Sequence, residues 1–324
     1  MVDVLVLLTE ATNGGTNGGL TQGGREALAV ASRLAGQLGG ALNAALTIAG
    51  DAATAELGEC GAARVFAPAR GETPDRVAFA AEAVRQSGVR VVVVSRGAET
   101  LAVVPRLAAR LAGGCVMGVT EVNVSGDDIE ATAAIYGGAA RALYHFSGDG
   151  PRIVALAPGG GSPAERVAGR IAELVTIDVP ADPRVRIIQA AVPSEGARLE
   201  DARIVVSGGR GLRDRENYGL IRELSAALGG MPGASRAIVD ESWAKPAEQV
   251  GLTGKIVTPD LYFAIGISGA SQHMAGCSNA RTLVAVNTDA DAPIFRYAHY
   301  GIVDNCLDIL PELIRQAKDR GGNG

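Results

Sequence analysis

Lysine is almost missing from this chain: Lys245, Lys255 and Lys318 are the only three, and arginine supplies every cation before them. Aromatic residues make up 4% of the sequence, with five Phe and one Trp, and no stretch interleaves them with a basic cluster. A stacking platform on a charged groove therefore has little to be built from, which argues against nucleic acid as a partner. Long apolar runs are also lacking. Val2–Leu8 and Val91–Val94 fall far short of the roughly 20 residues that a membrane-spanning helix needs, so a soluble protein with no membrane span is expected. The four cysteines, Cys60, Cys115, Cys277 and Cys306, lie far apart with no C-x-x-C pair. They suggest neither a zinc site nor a disulfide framework, and reduced thiols in a cytoplasmic compartment are expected. The chain enters an apolar run at Val2, which leaves no room for a cleavable leader and points the same way.

What is present is enough apolar material for two cores. The chain has 324 residues, 47% of them hydrophobic, and a net charge of −5; that length suits two domains of ordinary size. Val2–Leu8, a Gly/Thr/Asn loop and helical spacing over Gly24–Leu38 read as strand, loop, helix. The alternation continues with strand-like runs at Ala44–Ile48, Arg64–Phe66 and Arg90–Ser95 and helical stretches at Pro74–Gln86 and Glu99–Leu111. An open parallel sheet covered by helices accommodates it. Short runs follow at Val116–Val124, Ile129–Tyr136, Arg141–Phe146, Arg152–Ala157 and Leu174–Val179, which suggest an edge or a small antiparallel addition. Pro180, Pro183, Pro193 and Gly196 then punctuate a segment without periodicity. A linker is predicted at about 180–200, dividing an N-terminal α/β domain over 1–196 from a second, doubly wound α/β domain over 197–324. In the second, strands are predicted at Arg203–Ser207, Ala237–Val239, Lys255–Val257, Tyr262–Ile267 and Thr282–Val286, with helices at about Tyr218–Leu228 and Asn305–Lys318.

The loops after these strands carry the chemistry. Ser207-Gly208-Gly209-Arg210-Gly211-Leu212 follows a buried strand, where open α/β sheets place ligands; the glycines let backbone N–H groups approach an anion and Arg210 adds a bidentate cation. Gly209 and Gly211 begin a dinucleotide fingerprint, but Asp214 stands at its third glycine, which disfavours a standard NAD site. By spacing alone a tight turn serves as well as an anion site. Gly251-Leu252-Thr253-Gly254-Lys255 has two residues between its glycines, where a phosphate loop has four, and Ile256 follows the lysine, so a nucleoside triphosphatase is excluded. A ligand-bonding Thr253 and a plain turn both remain. Gly266-Ile267-Ser268-Gly269-Ala270 fails as a nucleophile elbow because Ala270 replaces the closing glycine. A helix starting near Gly269, with Ser268 as cap and Gln272 and His273 in its first turn, reads better. Gly233-Ala234-Ser235-Arg236 leads into a further predicted element with a hydroxyl and a cation. Loops at the ends of neighbouring strands lie side by side, so Arg210, Ser235, Arg236, Thr253, Ser268, Gln272 and His273 are expected to converge on one large anionic ligand.

SGGRGL, GASRAIVD, QVGLTGK, ISGASQH, VAVNTD and APIF-x-x-A-x-YGIV occur in the order and spacing of electron transfer flavoprotein alpha subunits, which this sequence closely resembles. The N-terminal half adds Pro105–Leu111 and the Tyr136-Gly137-Gly138 turn. The resemblance implies an N-terminal domain that packs against a beta subunit and a C-terminal domain that binds FAD. It implies FAD contacts at Arg210, Ser235, Arg236, Val250, Gly251, Leu252, Thr253, Ser268, Gly269, Ala270, Ser271, Gln272, His273, Asn287 and Asn305. The flavin ring is expected near Arg236, Thr253 and His273, and the adenosine near Ser268 and Asn287. Three positions depart from the family: Leu252 stands where Gln is common, His299 replaces the Asp before Tyr300-Gly301, and Asn305 stands where an acid is usual.

A family member is implied to be an electron carrier and not an enzyme. Arg236 and His273 would stabilise negative charge on the flavin ring, and Thr253 would meet its reactive nitrogen. Flavin-dependent dehydrogenases are the implied donors, with a quinone reductase or similar acceptor; AMP or a second FAD is expected in the beta subunit. The alternative is a subunit of an electron-bifurcating, NADH-oxidising complex whose beta subunit holds that second FAD. A redox-inactive adenine-nucleotide sensor would use a similar crevice and would be colourless.

Overall fold

The computed structural model describes residues 1–9, 19–48, 50–69, 75–97, 99–136, 140–157, 164–180 and 198–321. The chain divides into two compact units, Met1–Glu195 and Gly196–Gly324, each with its own sheet. The loop after the first strand, the glycines after Tyr136, and most of the Pro180–Gly196 segment lie outside the described residues.

In the first unit, β1 (Val2–Leu8), β2 (Gly39–Leu46), β3 (Arg64–Pro68), β4 (Val91–Val94), β5 (Gly114–Ser125), β6 (Asp128–Ile135), β7 (Ala140–His145), β8 (Arg152–Leu156) and β9 (Glu173–Ile177) form one sheet in the order β7-β6-β5-β8-β4-β1-β2-β3-β9. Only β5–β6 and β6–β7 are antiparallel. The helices are α1 (Gln22–Leu38), α2 (Asp51–Glu59), α3 (Arg76–Ser87) and α4 (Thr100–Arg110). Both faces of β1 are covered: Val4 and Val6 pack with Leu28 and Leu34 of α1, while Leu5 and Leu7 pack with Phe79 and Leu107 of α3 and α4. That two-sided burial explains the continuous apolar run. Helix α1 starts where the Thr21 hydroxyl accepts the Gly24 N–H at 3.1 Å and stops at Gly39, whose left-handed φ of 68° suits glycine.

The expected edge or antiparallel character holds for β6 and β7 but is wrong for β8. The chain passes back over β6 and β5 and inserts Arg152–Leu156 between β4 and β5, parallel to both and buried along its whole length. Strand β9 is an edge, but it pairs in parallel with β3. Helix α2 was not anticipated; its small residues repeat too weakly to stand out.

In the second unit, β10 (Ile204–Gly208), β11 (Met231–Ala234), β12 (Leu261–Ile265), β13 (Leu283–Asn287) and β14 (Tyr300–Val303) form a wholly parallel sheet in the order β11-β10-β12-β13-β14. Helices α5 (Tyr218–Ala227) and α8 (Cys306–Gly321) cover one face through Ile221, Leu224, Leu310 and Ile314. On the other face, Met274 and Cys277 of α7 (Ser271–Cys277) pack on Tyr262 and Ala264. A short α6 (Arg236–Asp240) follows β11. The strand expected at Ala237–Val239 is thus a turn of helix, entered from Ser235 in an extended conformation. The strand comes earlier, at Met231–Ala234, where Pro232 hides it from propensity; an edge strand tolerates the missing N–H. Lys255–Val257 is not a strand: a single bridge joins Val250 and Lys255, and Val257 donates to Gly276 in α7. Tyr300–Val303 forms β14, which was not anticipated as a strand.

Strand order reverses between β10 and β12: from β10 the chain steps out to β11 and then returns across β10 to β12. The crevice beyond Gly208 and Ile265, at the carboxyl ends of these two strands, is where an open α/β sheet receives its ligand.

Candidate functional site

That crevice is a cavity of about 650 Å³, well inside the range of roughly 300–1,000 Å³ for cofactor sites. Its walls are the loops leaving β10, β11, β12 and β13 together with the Gln249–Thr253 turn. Arg210, Ser235, Arg236, Val250, Gly251, Leu252, Thr253, Ser268, Ala270, Gln272, His273 and Asn287 all line it. Gly211, Ala237, Gln249, Gly266 and Ile267 line it as well, and sequence reasoning had not singled them out as contacts.

Two loops meet at its floor. Gly209 donates to the Ile265 carbonyl at 2.9 Å and Gly211 to the Gly266 carbonyl at 3.0 Å, with Gly266 at a φ of 63°. Glycine is required at this contact because any side chain would drive into the facing backbone.

Both cations sit beside a carboxylate. Arg210 Nε lies 3.2 Å from Glu241, and Arg236 Nε lies 3.3 Å from Asp240, with the two guanidinium side chains 70% and 68% exposed. Pairs this exposed hold their geometry weakly, so either arginine is free to exchange its partner for a bound anion. The Thr253 hydroxyl accepts from Gln249 Nε2 at 3.1 Å, which leaves its own O–H to donate elsewhere. Asn287, at the end of β13, donates to the Ile267 carbonyl at 3.0 Å and accepts from the Asp289 N–H. Leu252 is 64% exposed at the rim.

His273 differs from these. It is 7% exposed, and burial pushes its pKa down to about 4, against a smaller upward pull from the Val250 backbone, so near neutral pH the ring is uncharged. Near neutral pH it therefore brings a neutral hydrogen-bonding group to the cavity. Its Nε2 lies 3.0 Å from the buried Tyr262 hydroxyl. Among the described residues, Nδ1 makes no hydrogen bond of good geometry.

Gly269, Ser271 and Asn305 do not line the cavity. Gly269 packs at φ 85° against Ile294 behind the loop. Ser268 is not the helix cap: α7 begins three residues later, at Ser271, with Ala270 as its N-cap and no side-chain capping bond. Asn305 instead closes the start of α8, where its side chain bonds Asp308 at 2.9 Å. His299 has a structural account: its Nδ1 accepts the Leu283 N–H at 3.0 Å, completing the start of β13. Among the described residues there is no cluster of side chains that could hold a metal, and no helix is long and apolar enough to cross a membrane.

The model for the electron transfer flavoprotein domain matches residues 11–182, and the model for the electron transfer flavoprotein FAD-binding domain matches residues 198–278. This chain belongs to the electron transfer flavoprotein alpha-subunit family. It is 39% identical over 217 residues to the electron transfer flavoprotein subunit alpha of Bacillus subtilis (strain 168), the alignment spanning 66% of each chain. It is 37% identical over 252 residues, 76% of each chain, to the subunit of the same name from Mycobacterium tuberculosis (strain ATCC 25618 / H37Rv). Protein FixB of Clostridium saccharobutylicum is 38% identical over 223 residues, again 66% of each chain. The FAD-binding family match covers the strand-end loops that carry Arg210, Ser235, Arg236, Val250–Thr253 and Ser268–His273, and stops before Asn287.

Proposed function

We propose that this chain is the FAD-holding alpha subunit of a two-chain electron carrier, receiving electrons from flavin-dependent dehydrogenases and passing them to a quinone reductase or similar acceptor. The observation that carries this reading is the convergence of twelve expected contact residues on one cavity at the strand-order reversal.

The donor set fits a flavin dinucleotide. Two arginines stand ready for phosphate or reduced-ring charge, Ser235, Thr253 and Ser268 line the same cavity, and a buried imidazole has an Nδ1 without a hydrogen bond of good geometry among the described residues. FAD, when bound, supplies the redox chemistry; the chain supplies orientation, shielding and electrostatics. Arg236 is the cation expected to stabilise negative charge on the flavin ring, an attraction that solvent partly screens because the side chain is 68% exposed. Thr253, already accepting from Gln249, offers its proton to a ring nitrogen. His273 contributes as a neutral hydrogen-bonding group.

The first unit is proposed as the docking domain for the beta subunit, which would carry AMP. Its antiparallel addition leaves Tyr136, Leu143 and Tyr144 exposed, with Leu143 and Tyr144 on opposite faces of β7, so apolar surface is available there for such a contact. Co-expression with a beta-type chain, followed by flavin and AMP counting, tests the reading. One FAD and one AMP per heterodimer is the expected result. Two FADs would convert it to the bifurcating alternative, and a colourless complex would sink it.

A further inference from the structure

Beneath the cavity, β12 and α7 bring together two polar side chains that packing alone does not call for. Tyr262 is fully buried between the sheet and the helix, where a phenylalanine would fill nearly the same space. Its hydroxyl meets His273 Nε2 at 3.0 Å, with the ring planes tilted by 54°. One turn further along the helix, Cys277 donates from sulfur to the His273 carbonyl at 3.6 Å. Burying a phenol and an imidazole is costly unless each finds a partner. Here one bond satisfies the phenol and one side of the imidazole; on the other side Nδ1 makes no hydrogen bond of good geometry among the described residues, although the Val250 backbone lies close enough to favour a proton on the ring.

The direction of that bond follows from where the phenol proton can go. Burial keeps Tyr262 protonated, with its pKa raised well above the ordinary value and the neighbouring Ser207 hydroxyl opposing the rise. The groups around the phenol oxygen are an imidazole nitrogen, the Cys277 sulfur and the Ser207 hydroxyl. A neutral imidazole nitrogen is a good acceptor and a thiol sulfur a poor one. Cys277 already uses its proton on the His273 carbonyl, and the buried Ser207 hydroxyl has no other partner of good geometry among the described residues, so it is available as a donor. Donation from Tyr262 to Nε2 satisfies the phenol with the best acceptor at hand and puts the imidazole proton on Nδ1. The reverse arrangement would turn the phenol proton towards sulfur and leave Nδ1 a bare, buried acceptor.

We infer that Tyr262 is a positioning residue for the cavity: its hydroxyl holds the His273 ring and keeps the ring proton on Nδ1, which makes the imidazole a neutral hydrogen-bond donor on the side away from the phenol. The phenol acts through His273 and does not itself line the cavity. The chemistry this selects is an acceptor atom, a carbonyl oxygen or ring nitrogen that gains electron density on reduction. This consequence for the ligand rests on the flavin reading above; the tautomer does not.

The test is made on the full chain with histidines labelled in both ring nitrogens and flavin removed. The chain has three histidines, and the His273 signals are identified by their loss in His273→Gln. Two-bond proton–nitrogen correlations near neutral pH are expected to place the proton on Nδ1 with Nε2 bare. In Tyr262→Phe the ratio of the two tautomers is expected to move about tenfold towards Nε2–H, as loss of one buried hydrogen bond allows. A wild-type His273 protonated on Nε2 overturns the inference even if the variant does not fold, as does a Tyr262→Phe chain with an unchanged ratio. Reloading with FAD separates the two readings. A chain with the Nδ1–H tautomer that takes up no flavin loses the flavin reading alone. A variant whose tautomer moves while its flavin potential stays unchanged overturns the role towards the ligand.

Discussion

Gly211 and Gly266 face each other so closely that a Cβ built on Gly211 would lie 2.6 Å from the Gly266 Cα. The obstacle is backbone on both sides, so no side chain can swing away. Gly211→Ala is expected to cost about 1–3 kcal/mol of stability, as overpacking does, and to displace the loop that carries Arg210. Denaturant midpoints and retained flavin absorbance check this together; a variant with wild-type values for both would show that the loops separate without penalty.

Arg236→Ala is expected to lower the midpoint potential of bound flavin, because the oxidised ring loses nothing while the reduced ring loses a stabilising cation. With the Arg236 side chain largely exposed and screened by solvent, the effect is on the order of 1 kcal/mol at most, about 40 mV for a one-electron step. Asp240→Asn should shift the potential the other way, since the carboxylate 3.3 Å from Arg236 offsets part of its charge. Potentiometric titration of the two variants decides it. Shifts of the same sign would remove Arg236 from this role.

Stability of the flavin-free chain is expected to fall as pH drops from about 6.5 to about 4, through His273. Its folded pKa is lowered to about 4 from an ordinary 6.5, so the unfolded chain binds the proton first. The contribution is fully present above pH 6.5 and lost as pH falls through the folded value, up to about 3 kcal/mol. His273→Gln should flatten that part of the profile, read as urea midpoints between pH 4 and 7.

In the first unit, Glu56→Ala should destabilise by about 2–3 kcal/mol. Glu56 is 3% exposed, accepts the Leu20 N–H at 2.8 Å and bonds Arg25 Nε at 2.5 Å. Burial alone would raise its pKa, but the bonds from Arg25 and Leu20 hold it below the usual carboxylate value. Removing it strands a buried N–H and a half-buried cation, less costly than a fully buried orphan because Arg25 still reaches water. Thermal unfolding of the variant near neutral pH measures the loss, and because the carboxylate stabilises only while ionised, the gap to wild type should narrow below about pH 4.

What the sequence made legible divides along physical lines. β1 and the loops around Arg210, Thr253 and His273 were readable because a two-sided apolar run and glycine-flanked polar residues are local signals. β8 was misread because its neighbours in the sheet, β4 and β5, are set by a crossover that no local pattern encodes. Ala237–Val239 has strand-like composition, yet it turns into helix because Ser235 and the short β11 end the strand before it. Asn305 lies off the cavity because its amide is occupied by Asp308. The Tyr262 partnership was invisible for a related reason: a tyrosine in an apolar run looks like core until the imidazole beneath the next loop is seen.

The carboxylates beside Arg210 and Arg236 have a kinetic corollary. Each guanidinium at the cavity mouth has its own counter-ion, so the entrance presents dipoles rather than a net positive field. An incoming dianionic pyrophosphate is then not drawn from a distance, and ionic strength should have little influence on its capture rate. Once seated it competes with Glu241 and Asp240 at short range. Retention, far more than arrival, then becomes the salt-sensitive step, and it is the departure of the dinucleotide that added salt should hasten.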